Sequence, residues 1–197
     1  SLFGLNERTG IEIEEAAPQI ANEFPVMAAI GQSNNNYTTV QLARYVTAVA
    51  NEGTVYQYTL LNRLEDSDGN VLQTFEPQVR NQIDVLDTEE WNAIRSGMRM
   101  VVENTKEFDG FPIEAAGKTG TAQQNLKRPN HALFVGYAPY DDPEISIATR
   151  IAYGYTSHNA AKLARNVFAY YFNVENEDEL LNGQAANGNS SSNEISD

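Results

Sequence analysis

The stretch Ala115 to Gln123, AAGKTGTAQ, sets one base and two hydroxyls among residues with almost no side-chain bulk. Thr119 and Thr121 are two apart, so on a strand both hydroxyls share a face, while Lys118 and Gly120 fall on the other. A twist or bulge could rotate Lys118 toward the site. Glycine within a strand gives up packing and often marks a place where a ligand approaches the backbone closely. Residues 115–138 hold three bases (Lys118, Lys127, Arg128) and no acid, in a chain whose formal net charge is −14. An anionic ligand laid along such a strand meets hydroxyl donors, backbone N–H groups and a nearby cation. The same residues also suit an edge strand with one solvated lysine and small residues packed under a helix. Lys-Thr-Gly alone does not separate the two.

Other chemistry is scarce. There is no cysteine, which removes disulfides, thiol nucleophiles and Cys-based zinc sites. His131 and His158 lack a serine, acid or metal-ligand spacing around them and read as structural or surface residues. Asp66-Ser67-Asp68-Gly69-Asn70 begins like a calcium loop, but the positions that need glycine and glutamate hold Val71 and Pro77, so it reads as a turn. No Gly-rich phosphate loop and no HExxH occurs. The acidic balance argues against nucleic acid or an anionic membrane as partner and is explained by solubility. No apolar run has the length of a membrane span and no signal peptide opens the chain. It begins Ser-Leu-Phe-Gly-Leu without methionine, which reads as entry in mid-domain.

Several elements are expected to position the quoted strand. A helix runs from Thr38 or Thr39, with Leu42, Tyr45, Val46 and Val49 at helical spacing and Gly53 as its C-terminal stop. Residues 54–77 form two β-rich runs around an Asp68-Gly69 turn. Asp87 and Glu90 make a capping box for a second helix with a stripe of Trp91, Ile94, Met98 and Val101 or Val102. Strands over 113–123, 131–138 and 144–153, with short gaps, make an antiparallel meander. A last helix over 159–172 places Leu163, Val167, Phe168 and Tyr171 on one face. Beyond Asn173 the chain carries six acids and no base and is read as a disordered tail over 173–197.

AAGKTGTAQ, a loop, and then NHALFVGYAPYDDPEISIATRI resemble the end of the transpeptidase domain of penicillin-binding proteins. Upstream, AIGQSNNNYTTVQLARYVTAVANEGTVY is similar to that family's Ile-Gly-Gln, Gln-Leu-Ala and Ala-Asn-x-Gly-Thr segment, and FGLNERTGIEI to its FGxxxxTGIxL. The detail looks most like a class B, elongation-type enzyme of a Gram-positive bacterium. The resemblance implies an α/β fold of the α+β type, the C-terminal part of a serine β-lactamase and penicillin-binding-protein-like fold, with an antiparallel sheet flanked by helices over 1–172. It implies peptidoglycan stem peptides and β-lactam antibiotics as ligands and no metal or cofactor. It also implies an extracytoplasmic location on a bacterial membrane with the anchor upstream. Carried over by position, Lys118 supports the proton-moving network around a serine, and Thr119, Gly120 and Thr121 bind substrate. The Thr121 backbone N–H supplies half of an oxyanion hole.

The family's other motifs are Ser-x-x-Lys and Ser-x-Asn. No serine here has a lysine three residues later, and Ser33-Asn34-Asn35 sits inside the Ile-Gly-Gln segment, on the wrong side of the true Ser-x-Asn. The nucleophile is therefore expected in an N-terminal remainder of the parent protein, with this part inactive alone. Strands from that remainder would cover an inner sheet edge. A β-lactamase or D,D-carboxypeptidase, or a non-catalytic wall or β-lactam sensor, are the competing readings.

Overall fold

The computed structural model describes residues 2–124, 126–176 and 180. Helix α1 (Pro25–Ala29) is a single turn behind Phe24. Helix α2 (Thr39–Ala50) opens on a reciprocal cap in which the Gln41 N–H donates to the Thr38 hydroxyl and the Thr38 N–H donates to the Gln41 side chain. Past its end, Gly53 has φ 102°, and a Cβ there would stand 2.5 Å from the Ile83 carbonyl oxygen. Only glycine closes that turn.

The two β-rich runs divide further than their sequence indicates. Strands β2 (Arg63–Glu65) and β3 (Val71–Thr74) form the expected hairpin, its turn held by Asp66 accepting from the Asp68 and Asn70 N–H groups. Strand β1 (Thr54–Gln57) pairs instead with β4 (Gln78–Gln82), a polar, wholly exposed strand with no apolar alternation to announce it. Helix α3 (Thr88–Glu103) has the Asp87–Glu90 capping box, and Glu89 and Glu90 sit at the positive end of its dipole.

Strands β5 (Ala116–Ala122), β6 (His131–Ala138) and β7 (Ile145–Ile151) form the expected antiparallel meander, in that order across the sheet. Helix α4 (Ser157–Tyr171) follows. On one face of the sheet Phe134, Ala132 and Ala138 pack with Ala160, Ala161, Ala164 and Phe168 of α4, and Phe108 stacks on Phe134 at 5.8 Å. On the other face Ala116 and Tyr137 pack with Val46 and Ala50 of α2. Among the described residues no strand pairs with the outer edge of β7.

The inward face of α4 differs from the expected one. Leu163, Val167 and Tyr171 are exposed, and of the predicted stripe only Phe168 is buried. Alanines let the helix backbone come close to the sheet, where Thr149 Oγ1 bridges the Phe134 and Ala160 carbonyls. On α3, Trp91 and Val102 are buried as expected, but Ile94 faces out. Arg95 turns inward, donating to the Tyr137 hydroxyl (3.2 Å), the Glu52 carboxylate (2.5 Å) and the Tyr140 carbonyl (2.8 Å). The N-terminal loops are tied down by buried polar groups of α2 and a half-buried one of β1. Arg44 donates to the Gly4 carbonyl (2.6 Å), Gln41 to that of Glu7 (2.7 Å) and Gln57 to that of Thr9 (2.7 Å). At the start of the expected tail, Glu175 pairs with Arg165, whose guanidinium lies over the Phe111 ring. Apart from residues 173–176 and 180, that tail lies outside the described residues.

Candidate active site

Strand β5 lies at the sheet edge, with β6 as its one neighbour among the described residues. Its register runs from Ala116 opposite Tyr137 to Ala122 opposite His131 without a bulge. The pleat is therefore regular: Thr119 and Thr121 share the face of Gly117, and Lys118 and Gly120 share the face of Ala116. Lys118 needs no bulge to reach the edge, because its flexible stem folds over and Nζ donates to the Thr119 carbonyl at 2.9 Å.

Two contacts define which backbone groups face outward. Lys118 Nζ reaches the Thr119 carbonyl, and Gln32 Nε2 reaches the Thr121 carbonyl at 3.5 Å. Neither contact comes from β6, since Lys118 belongs to β5 itself and Gln32 lies outside the sheet, so both carbonyls point away from β6. In an antiparallel strand the N–H and C=O of one residue point to the same side. Thr119 and Thr121 thus present both donor and acceptor on the open edge, while Lys118, Gly120 and Ala122 face β6. The ledge so formed combines two outward N–H groups, two hydroxyls and an ammonium, a set able to hold an anion or an extended backbone.

Steric demand changes sharply along the strand. A Cβ on Gly117 would lie 2.3 Å from Phe134 Cζ and 2.9 Å from the Val135 oxygen, whereas one on Gly120 would meet only Leu133 Cβ at 3.5 Å. Gly117 is fixed by packing. Gly120 leaves the ledge clear.

Ser33 and the two histidines have other surroundings. Ser33 donates its hydroxyl to the Glu23 carbonyl at 2.7 Å and has φ 150°. His158 is exposed and bonds Glu107 at 2.9 Å. His131 is buried at the start of β6. Its Nδ1 accepts from the Tyr153 N–H at 3.0 Å and its Nε2 lies 2.9 Å from Gln124 Oε1. Burial lowers its pKa, and the nearby Arg150 guanidinium pushes the same way. Arg128 packs over the Tyr153 ring and donates to its hydroxyl at 2.7 Å. Gln32 and Gln124 carry no signal of their own in the sequence. Gln32 was legible only as part of the Ile-Gly-Gln segment.

The family model for the penicillin binding protein transpeptidase domain matches residues 1–169. The chain is 32% identical to the peptidoglycan D,D-transpeptidase MrdA of Haemophilus influenzae, over 87% of its own length and 31% of that protein's. It is 27% identical to penicillin-binding protein 2A of Bacillus subtilis, over 95% of its length and 30% of that protein's. It therefore spans about three-tenths of the length of these curated relatives. In fold it superposes on penicillin-binding protein 2B of Streptococcus pneumoniae strain R6 with a TM-score of 0.76 and 24% identity, covering 88% of this chain and 31% of that one. The imipenem acyl-enzyme complex of penicillin-binding protein A from M. tuberculosis gives a TM-score of 0.76 and 22% identity, covering 87% and 40%.

Proposed function

The chain belongs to the penicillin-binding-protein transpeptidase family, and from that premise we propose that it is the C-terminal part of a serine-type peptidoglycan D,D-transpeptidase. A serine outside these residues attacks the D-Ala-D-Ala carbonyl of a stem peptide and the terminal D-Ala leaves. An amine of a neighbouring stem peptide then takes the acyl group, completing the cross-link. β-Lactams acylate the same serine. The parent protein acts on the outer side of a bacterial membrane, its anchor and nucleophile lying in the N-terminal remainder that this chain requires as its partner.

The outward-facing backbone of Thr119 and Thr121, beside the Lys118 ammonium, supports this reading most directly. On it the Thr119 and Thr121 hydroxyls hold the terminal carboxylate of the substrate. Gly120 lets the substrate backbone approach. The Thr121 N–H is one of two donors to the oxyanion that develops as the serine attacks, a term typically worth about 10²–10³ in rate. Lys118 sits where its charge can stabilise the anionic substrate and the polar network around the serine. With no Ser-x-x-Lys of its own, the 197-residue chain is inactive alone.

Covalent labelling with a fluorescent penicillin tests this, run on the 197-residue chain and on the longer parent. Labelling of the parent alone is the expected result. Labelling of the short chain would place the nucleophile within it, with Ser33 the first residue to examine. Absence of label on both would favour a non-catalytic wall-binding module.

A further inference from the structure

The β5–β6 loop leaves the strand after Ala122, one residue past Thr121, and three bonds tie it to a part of the chain far away in sequence. His131 stands opposite Ala122, next to the Thr121–Ala132 pair. Its Nδ1 accepts the Tyr153 N–H, so the ring proton is on Nε2, which donates to Gln124 Oε1 on the outgoing limb of the loop. On the returning limb Arg128 holds the Tyr153 hydroxyl, and the Asn130 carbonyl accepts the Tyr155 N–H at 3.1 Å. Tyr153 and Tyr155 both have left-handed backbone, φ 54° and 65°, which a bulky residue adopts only where its surroundings hold it.

We propose that His131 is a positioning residue for acylation: as a neutral ring protonated on Nε2, it clamps the β5–β6 loop to the β7–α4 connection and so fixes the end of β5 that carries Thr121. The inference rests on the transpeptidase reading above. The groups facing the ring are Gln124 from the loop, Arg150 from β7 and Tyr153 from the connection, with Arg128 beyond Tyr153. None of these is a carboxylate, so nothing in this set favours a second proton. Such a proton on Nδ1 would confront the Tyr153 N–H and open the clamp. A site donor misplaced by about 1 Å can lose about 10²-fold in rate, which sets the scale of the effect.

The experiment measures penicillin acylation in the longer parent, separating the rate constant of acylation from the apparent affinity. His131→Ala is expected to slow the acylation step about tenfold or more while weakening affinity much less. His131→Gln, whose amide can accept from Tyr153 and donate to Gln124, is expected to recover most of the rate. Gln124 is exposed, so Gln124→Ala reads the same link without endangering the fold, and it too is expected to slow the acylation step. Acylation at the wild-type rate in both His131→Ala and Gln124→Ala overturns the inference and leaves the transpeptidase reading standing. A wild-type parent that penicillin fails to label overturns that reading, and this role of His131 with it.

Discussion

The two halves of β5 obey different rules. Ala116 and Gly117, with Ala115 just before them, are buried, and their small size is dictated by Phe134, Tyr137 and the helices above and below. From Lys118 to Ala122 the strand is part exposed, and its small residue, Gly120, has room around it. One stretch of glycine, alanine and threonine thus contains a packed half and an open half. Composition cannot tell them apart; the neighbouring strand can.

The sharpest way to break that contrast is to put the same methyl group into each half. Gly117→Ala forces Phe134 to move and is expected to cost about 3 kcal/mol, the upper range for overpacking a core, read as a lowered urea midpoint. A midpoint unchanged from wild type would mean that the first half is not constrained by Phe134. Thr121→Val, in the open half, removes a hydroxyl but leaves the backbone donor. Acylation of the parent by penicillin is expected to slow about tenfold, the loss of one charge-assisted hydrogen bond of about 1.4 kcal/mol, with stability little altered. Unaltered acylation would detach that hydroxyl from the site.

The boundary at His131 gives a smaller, pH-dependent effect. Its pKa in the folded chain is lowered, so below about pH 6.5, the ordinary histidine value, the unfolded chain binds more protons than the folded one. The contribution of His131 to stability is complete above that pH and declines as pH falls through it toward the folded value. Urea unfolding at pH 7.5 and 5.5, compared with His131→Gln, should show the wild type losing more stability on acidification. Equal losses would mean that the ring is not held neutral. The smallest effect is expected from Gly120→Ala, within about 0.5 kcal/mol of wild type. A loss as large as that at Gly117 would erase the distinction between the halves.

What the sequence made legible was local. The caps at Thr38 and Asp87 and the turn at Asp66–Asn70 depend on residues within a few positions of each other, the three-strand meander on successive strands joined by short loops, and each is where the pattern placed it. Contacts set by distant partners were not legible. Strand β4 exists because β1 offers it a ladder, not because QVRNQ looks like a strand. Arg44 and Gln41 point inward because carbonyls of the N-terminal loop await them. Helix α4 turns alanine rather than leucine to the sheet because the sheet demands closeness. In the site, the tripeptide and the faces of its side chains could be read from alternation alone. The outward turn of the Thr119 and Thr121 carbonyls could not, since Gln32 lies 89 positions from Thr121.

The unbroken pleat of β5 has a further consequence for whatever lies along it. Outward donors and acceptors recur only at every second residue, about 6.8 Å apart, so the ledge works as a ruler with a fixed graduation. An extended chain laid on it can match those marks or shift by two of its own residues. A shift by one would set donor against donor and turn every side chain to the opposite side. Such an edge measures phase more strictly than it reads side-chain identity, and a ligand's place along it is decided by where its chain ends.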